Sequence, residues 1–269
     1  EGRLAFMELG ASGGTYMWAV VVVDLSDGST TRFDTSFEIG VKPEILPGRP
    51  MGWDASDTQL LLDTFMPDTE GNWAGIWGVA VPPAAASAAL DTLPAVEYLA
   101  MGDYLSTPVL SRDGSQILYL NRDYSYTPTD YEVMAFDLVV NELWTMDLAS
   151  SMKTILVDAT DGSALFREAA WSMDGSSIMF GQGTFAGGAN FDSGAWKTHS
   201  GGVDTVVGPA AIPSGGSMQM VQWCRPNTGL ASARTSGGDI ELQVLDLSAG
   251  AVSTVVETEQ TITILGCVP

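Results

Sequence analysis

Apolar and polar positions follow one ten-residue grammar at four places in the chain. The copies are Trp53-Asp-Ala-Ser-Asp-Thr-Gln-Leu-Leu-Leu62, Leu110-Ser-Arg-Asp-Gly-Ser-Gln-Ile-Leu-Tyr119, Trp171-Ser-Met-Asp-Gly-Ser-Ser-Ile-Met-Phe180 and Trp223-Cys-Arg-Pro-Asn-Thr-Gly-Leu-Ala-Ser232. Each has a bulky apolar residue, a small or polar one, a tight turn and three mostly apolar residues. Asp, Asn and Gly tolerate positive φ and Pro presets φ, so the middle of each window is a turn. The flanking apolar runs read as strands. Each window therefore predicts a strand–turn–strand unit.

A second element follows each window: an apolar strand, a Gly- or Asn-marked turn and a further strand. It reads Val21-Val-Val-Asp24-Leu-Ser-Asp-Gly28, Met134-Ala-Phe-Asp137-Leu-Val-Val-Asn141 and Val244-Leu-Asp246-Leu-Ser-Ala-Gly250, with a weaker form at Ala195–Gly202. Thr30–Phe33 and Val252–Val255 read as the outer partner strands. Two hairpins per repeat make a four-stranded antiparallel sheet. The chain ends supply a fifth copy, split between Gly266–Pro269 and Glu1–Phe6. The five copies account for the whole chain, so residues 1–269 are expected to form a single domain. The expected fold is all-β: a β-propeller of five four-stranded blades, its ring closed by the C-terminal strand pairing with the N-terminal blade. Closure would remove the open sheet edges. A sixth blade built from the long third repeat is the structural alternative. Helix should be nearly absent, with Pro83–Leu90 read as a decorated turn holding one helical turn.

Ser111-Arg-Asp-Gly114 and Ser172-Met-Asp-Gly175, each followed by an apolar strand, resemble the repeats of the TolB-like propellers, also called PD40 or WD40-like. Those propellers have six blades, so a count of five departs from the pattern. The resemblance implies a protein of the bacterial envelope or exterior that binds other proteins. It implies no chemistry.

Composition narrows the field. The 269 residues hold 11 basic and 33 acidic side chains, a formal net charge of −22. Such a surface repels phosphate backbones and anionic lipid, which argues against a nucleic-acid or membrane-surface ligand. One histidine and two cysteines cannot build a histidine-rich or four-cysteine metal site. No cofactor is called for; calcium would suit the acidic surface, but no specific motif supports it. No apolar run approaches the ~20 residues of a transmembrane helix. The first residues carry no secretory signal, and one is expected to have been removed.

Repeated carboxylates suggest two opposed roles. Asp57, Asp113 and Asp174 are read as one recurring turn aspartate, and Asp24, Asp137 and Asp246 as another. Equivalent turns give equivalent environments, whereas acid–base catalysis needs two carboxylates in unlike ones. The turn role is preferred. Asp54, Asp103 and Glu168 are the non-repeated alternatives, and nothing in their spacing pairs them. His199, in Thr198–Gly202, reads as a solvated turn residue rather than the base of a triad. No nucleophile elbow or phosphate-binding loop is present. No catalytic residue is assigned, and the reading leans away from an enzyme.

Cys224 and Cys267 hold the second position in neighbouring windows, where adjacent strands can bring Cα atoms within disulfide range; two buried free thiols are the alternative. A bond between them would close a loop of about 43 residues, worth roughly 4 kcal/mol in the chain-entropy model. It would imply an oxidising compartment, so the chain is expected in the periplasm, the outer envelope or the exterior. Contact residues are sought in irregular segments. Trp73 and Trp77 lie in one, residues 66–77. Tyr124, Tyr126 and Tyr131 lie in the other, 121–132, a loop of Tyr, Ser, Thr and Asp, the composition of contact loops. The function expected first is a non-enzymatic protein-binding or scaffold module with protein partners. The alternative is a propeller that binds or cleaves a glycan at an acidic channel mouth, an analogy of fold with certain glycosidases.

Overall fold

The computed structural model describes residues 2–12, 15–38, 49–64, 75–81, 88–89, 95–100, 108–121, 142–159, 163–187, 190–212, 217–260 and 262. They divide into two compact units. The first holds residues 1–103 with Asp113–Ser115, the second 104–112 with 116–269. Among the described residues there is no helix.

The first unit holds two sheets. Strands β1 (Arg3–Ser12), β2 (Thr15–Asp24) and β3 (Thr30–Glu38) form successive antiparallel pairs. Strands β4 (Arg49–Trp53), β5 (Gln59–Thr64) and β6 (Gly75–Ala80) do the same. The chain then leaves this second sheet. Strand β7 (Ala88–Ala89) runs parallel to the outer side of β3, with Phe33 opposite Ala88 and Asp34 opposite Ala89. Strand β8 (Ala95–Ala100) returns to close the second sheet against β6. The helical turn expected in Pro83–Leu90 is thus corrected at residues 88–89, which are strand; residues 83–87 and 90 lie outside the described residues.

The second unit holds three sheets in simple meander order. They are β9 (Val109–Leu110), β10 (Gln116–Asn121), β11 (Glu142–Asp147) and β12 (Lys153–Asp158); β13 (Ser163–Trp171), β14 (Ser177–Gly187), β15 (Asn190–Ser200) and β16 (Val203–Ile212); and β17 (Ser217–Arg225), β18 (Thr228–Arg234), β19 (Ile240–Asp246) and β20 (Ala251–Thr258). All neighbours within them are antiparallel. The third repeat contributes one of these sheets. The described residues therefore form five four-stranded sheets, as the windows predict, but the first departs from the expected antiparallel blade because its fourth strand is the short, parallel β7.

Burial explains why the windows are legible. Leu60, Leu61 and Leu62 of β5 are fully buried, as are Ile117 to Leu120 of β10 and Ile178 to Phe180 of β14. Successive strand residues face opposite sides, so an unbroken buried run means that both faces are covered. In the first unit Leu60 and Leu62 pack with Val20, Val22, Phe33 and Val79. In the second, Leu118 and Leu120 pack with Leu143, Ile178 and Phe180, while Met179 packs with Trp196, Ala231 and Leu245. Each buried leucine contributes about 2 kcal/mol of transfer free energy. Strand β1, at the edge of the first sheet as described, alternates instead, with Leu4 52% and Phe6 40% exposed. The C-terminal residues 263–269, Cys267 among them, lie outside the described residues, and the ring closure expected of them with them.

One repeat is placed differently from the sequence reading. The third strand of the third sheet is Glu142–Asp147, and its outer hairpin turns at Asp147–Met152 rather than at Asp137–Asn141. Residues 122–141, Asp137 included, lie outside the described residues.

Candidate functional site

The repeated polar residues build two kinds of turn. In the window turns, the second position supplies a side-chain oxygen to the N–H of the seventh. Ser111 Oγ accepts from Gln116 N at 2.9 Å, and Ser172 Oγ from Ser177 N at 2.9 Å. Asp54 Oδ1 does the same work for Gln59 N at 2.7 Å and for Thr58 N at 2.8 Å. The fourth position then binds the sixth: Ser115 N and Oγ donate to Asp113 Oδ1, and Ser176 N and Oγ to Asp174 Oδ1. These are Asx turns, with the carboxylate bonding the backbone two residues on.

Asp57 proves not to be the equivalent of Asp113 and Asp174. It stands at the fifth position, that of Gly114 and Gly175, with φ 58° beside their 71°. Its carboxylate instead meets Arg3 at 2.9 Å, and the Arg3 guanidinium lies 3.7 Å from the centre of the Trp53 ring. An aspartate can enter the left-handed region where most residues cannot, which is why the turn survives without glycine.

The outer hairpins repeat a second device. Asp24 Oδ1 accepts from Ser26 N and Oγ, Asp147 from Ser150 N and Oγ, and Asp246 from Ser248 N and Oγ. The donors hold these carboxyls below their ordinary range, through the Ser26, Ser150 and Ser248 hydroxyls first and the backbone N–H groups next. Asp174 is held at about 2, by the Ser172 hydroxyl and then by Ser176. Burial pushes Asp54 up, but the Ser56 hydroxyl and the Gln59 and Thr58 N–H groups outweigh it and leave the carboxyl lowered. A carboxylate so held stays ionised at neutral pH. It is poorly suited to general acid chemistry, which needs a raised pKa.

The remaining sequence candidates are dispersed. His199 belongs to β15, not to a turn, and its Nδ1 lies 2.7 Å from Oδ1 of Asp204 on the neighbouring strand β16. Trp77 lies within β6, half-buried, opposite Leu62 on one side and Glu97 on the other. Cys224 lies on β17 and is half-buried. Trp73, Tyr124, Tyr126, Tyr131 and Asp103 lie outside the described residues, and so does the side chain of Glu168. Among the described residues, no three His, Cys, Asp or Glu side chains gather where they could hold a metal ion. Among them also, no helix is long and apolar enough to cross a membrane.

Sequence reasoning passed over the polar chain beneath the last outer strand. The buried Trp196 donates its Nε1–H to Gln243 Oε1 at 3.0 Å, Gln243 donates to Glu241 Oε2 at 3.0 Å, and Thr254 donates to the same oxygen at 3.0 Å. It ties the core of the second unit to the exposed strand β20. Alternation of Glu241 and Gln243 along β19 was the available signal.

No protein-family model matches the chain, and no curated protein sequence does. Solved structures do. TolB from Acinetobacter baumannii is similar at 14% identity and a TM-score of 0.50, over 94% of this chain and 52% of its own. An oligogalacturonate lyase in complex with manganese is similar at 14% identity and a TM-score of 0.50, over 91% of this chain and 63% of its own. The chain thus spans about half to under two thirds of the length of these proteins. Together with the five sheets among the described residues, the likeness shows the β-propeller fold, and at this identity it shows the fold alone.

Proposed function

We propose that this chain is a non-enzymatic protein-binding or scaffold module of the TolB-like kind, working in a larger assembly of the bacterial envelope or exterior. The observation that carries the reading is the use of the turn carboxylates. Asp24, Asp54, Asp113, Asp147, Asp174 and Asp246 all accept bonds within their own turns. The acidic repeats therefore serve to make a scaffold, and propeller blades present loops and edges to partners. The segments 66–77 and 121–132 are the proposed contacts, through Trp73, Tyr124, Tyr126 and Tyr131 together with Trp77, which stands half-buried on β6. The proposed location agrees with a Cys224–Cys267 disulfide. In its support, Cys224 is engaged rather than free, and the sequence holds one other cysteine.

The test is isolation of the native chain under mild conditions, with its mass in solution and its companions identified. A complex of fixed stoichiometry that weakens with Tyr124→Ala, Tyr126→Ala and Trp73→Ala is the expected result. A lone monomer of about 28 kDa would turn attention to glycans, to be tried by a binding array and a hydrolysis screen.

A further inference from the structure

Strands β3 and β20 are the same element in two sheets. Each follows an Asp-Leu-Ser turn closed by a glycine at positive φ, Gly28 at 74° and Gly250 at 60°. Each is the last strand of its meander. They differ in what lies beyond. The outer side of β3 carries the added strand β7. Among the described residues nothing pairs with the outer side of β20.

The bare strand is built to accept a partner. Ser253, Thr254, Val255, Val256 and Glu257 are all exposed in succession, so both faces are open as well as the edge. Val255 is 55% and Val256 45% exposed. β-branched residues favour the extended conformation that an incoming strand requires. Natural edges are commonly guarded by lysine, proline or an added segment. Strand β12 begins with Lys153, and β3 has both Arg32 and β7. Between Thr235 and Pro269 the chain has no lysine or arginine at all. Every ionisable residue of β19, β20 and the turn between them is acidic: Glu241, Asp246 and Glu257, with Glu259 just beyond.

We propose that the outer edge of β20 is a docking site for an extended, basic segment of a partner protein, which joins the fifth sheet by strand addition. Main-chain hydrogen bonds to an open edge supply affinity in such complexes, and side chains on either face supply selectivity. Strand β7 shows that an outer blade edge of this protein accepts an added strand. The acidic surroundings select a cationic one, and the same charge opposes a second copy of this chain. The inference goes beyond the loop contacts proposed above and shares with them only that the partner is protein.

The probe is a fluorescein-labelled peptide of alternating lysine and valine, eight residues long, titrated by fluorescence anisotropy. Its comparators alternate glutamate with valine and lysine with proline. The lysine–valine peptide is expected to bind in a salt-sensitive way and the other two not to. Val255→Lys combined with Glu257→Lys should weaken it about tenfold. Both side chains are exposed, so the variant should keep its melting temperature. Hydrogen exchange should slow at residues 252–258 when the peptide binds. Equal binding of the lysine–proline peptide, or protection away from β20, would overturn the proposal. So would a free chain that sediments as a dimer and is split by the same variant, since the occupant would then be a second copy. A native partner released by Tyr124→Ala but untouched by the edge variant would leave the loop reading standing and remove this one.

Discussion

The turns at Ser111–Gln116 and Ser172–Ser177 are made of almost the same residues, bond themselves in the same way and place a glycine at φ 71°. Yet they are constrained differently. A Cβ on Gly175 would meet nothing within 4 Å. A Cβ on Gly114 would collide with the Trp53 carbonyl oxygen and come within 2.7 Å of Ala55 N, all in the first unit. Ala55 N also donates to Gly114 O at 2.9 Å. One glycine is there for its conformation alone, and the other also because backbone lies against it.

That contrast can be broken by substitution. Gly114→Ala adds overpacking against rigid backbone to the left-handed penalty, for a loss of about 3 kcal/mol, or roughly 10 °C in Tm. Next comes Asp54→Ala, which strips two backbone N–H groups of their acceptor and should cost about 1.5 kcal/mol. Converting that turn to the grammar of the others, with Asp54→Ser, Ser56→Asp and Asp57→Gly together, should restore most of the loss. Gly175→Ala bears the conformational term alone, about 1 kcal/mol. Thermal melts of the four variants side by side check the series; equal losses at Gly114 and Gly175 would mean that packing against Trp53 and Ala55 contributes nothing.

Asp174 gives a smaller effect that is visible only in acid. Its carboxyl sits near 2 when folded, against an ordinary 3.8. A folded pKa below the unfolded one means stability that is present above about pH 4 and lost as the pH falls toward 2. The group is exposed, so the effect is screened and small. Tm should drop less steeply between pH 4 and pH 2 in Asp174→Asn than in the parent chain. Parallel curves would show that the Ser172 and Ser176 hydroxyls do not favour the ionised form.

How far the fold could be read in the sequence follows from the same physics. The windows stand out because strands covered on both faces must be apolar without interruption, as Leu60–Leu62 and Ile117–Leu120 are. The turns were found where glycine marked them and misplaced where it did not. In the third sheet the outer turn begins at Asp147, and four residues on, where the other outer hairpins have Gly28 and Gly250, stands Ser151 with φ 57°. The segment Met134–Asn141 has the apolar run, aspartate and asparagine of the expected hairpin, and so attracted the assignment. Asp57 misled in the same manner. Strand β7 left no pattern, because two alanines carry no periodicity. The candidate site was less legible than the fold, since an open edge such as β20 is defined by what does not cover it.

The smallest expected effect tests that explanation directly. If Ser151 holds a position whose backbone requires a left-handed residue, glycine should suit it better. The folded state loses the cost of a Cβ in that region, about 1 kcal/mol. The unfolded chain gains freedom worth about half as much, and the net gain should be about 0.5 kcal/mol. Gly28→Ser and Gly250→Ser, at the matching places, should each cost a similar amount, since a Cβ at either meets nothing within 4 Å. Urea melts with unchanged slopes would show these as effects on stability alone. Should Ser151→Gly destabilise the chain, the Ser151 side chain would be supplying a contact that outweighs the strain, and the three outer hairpins would no longer be one device written in different residues.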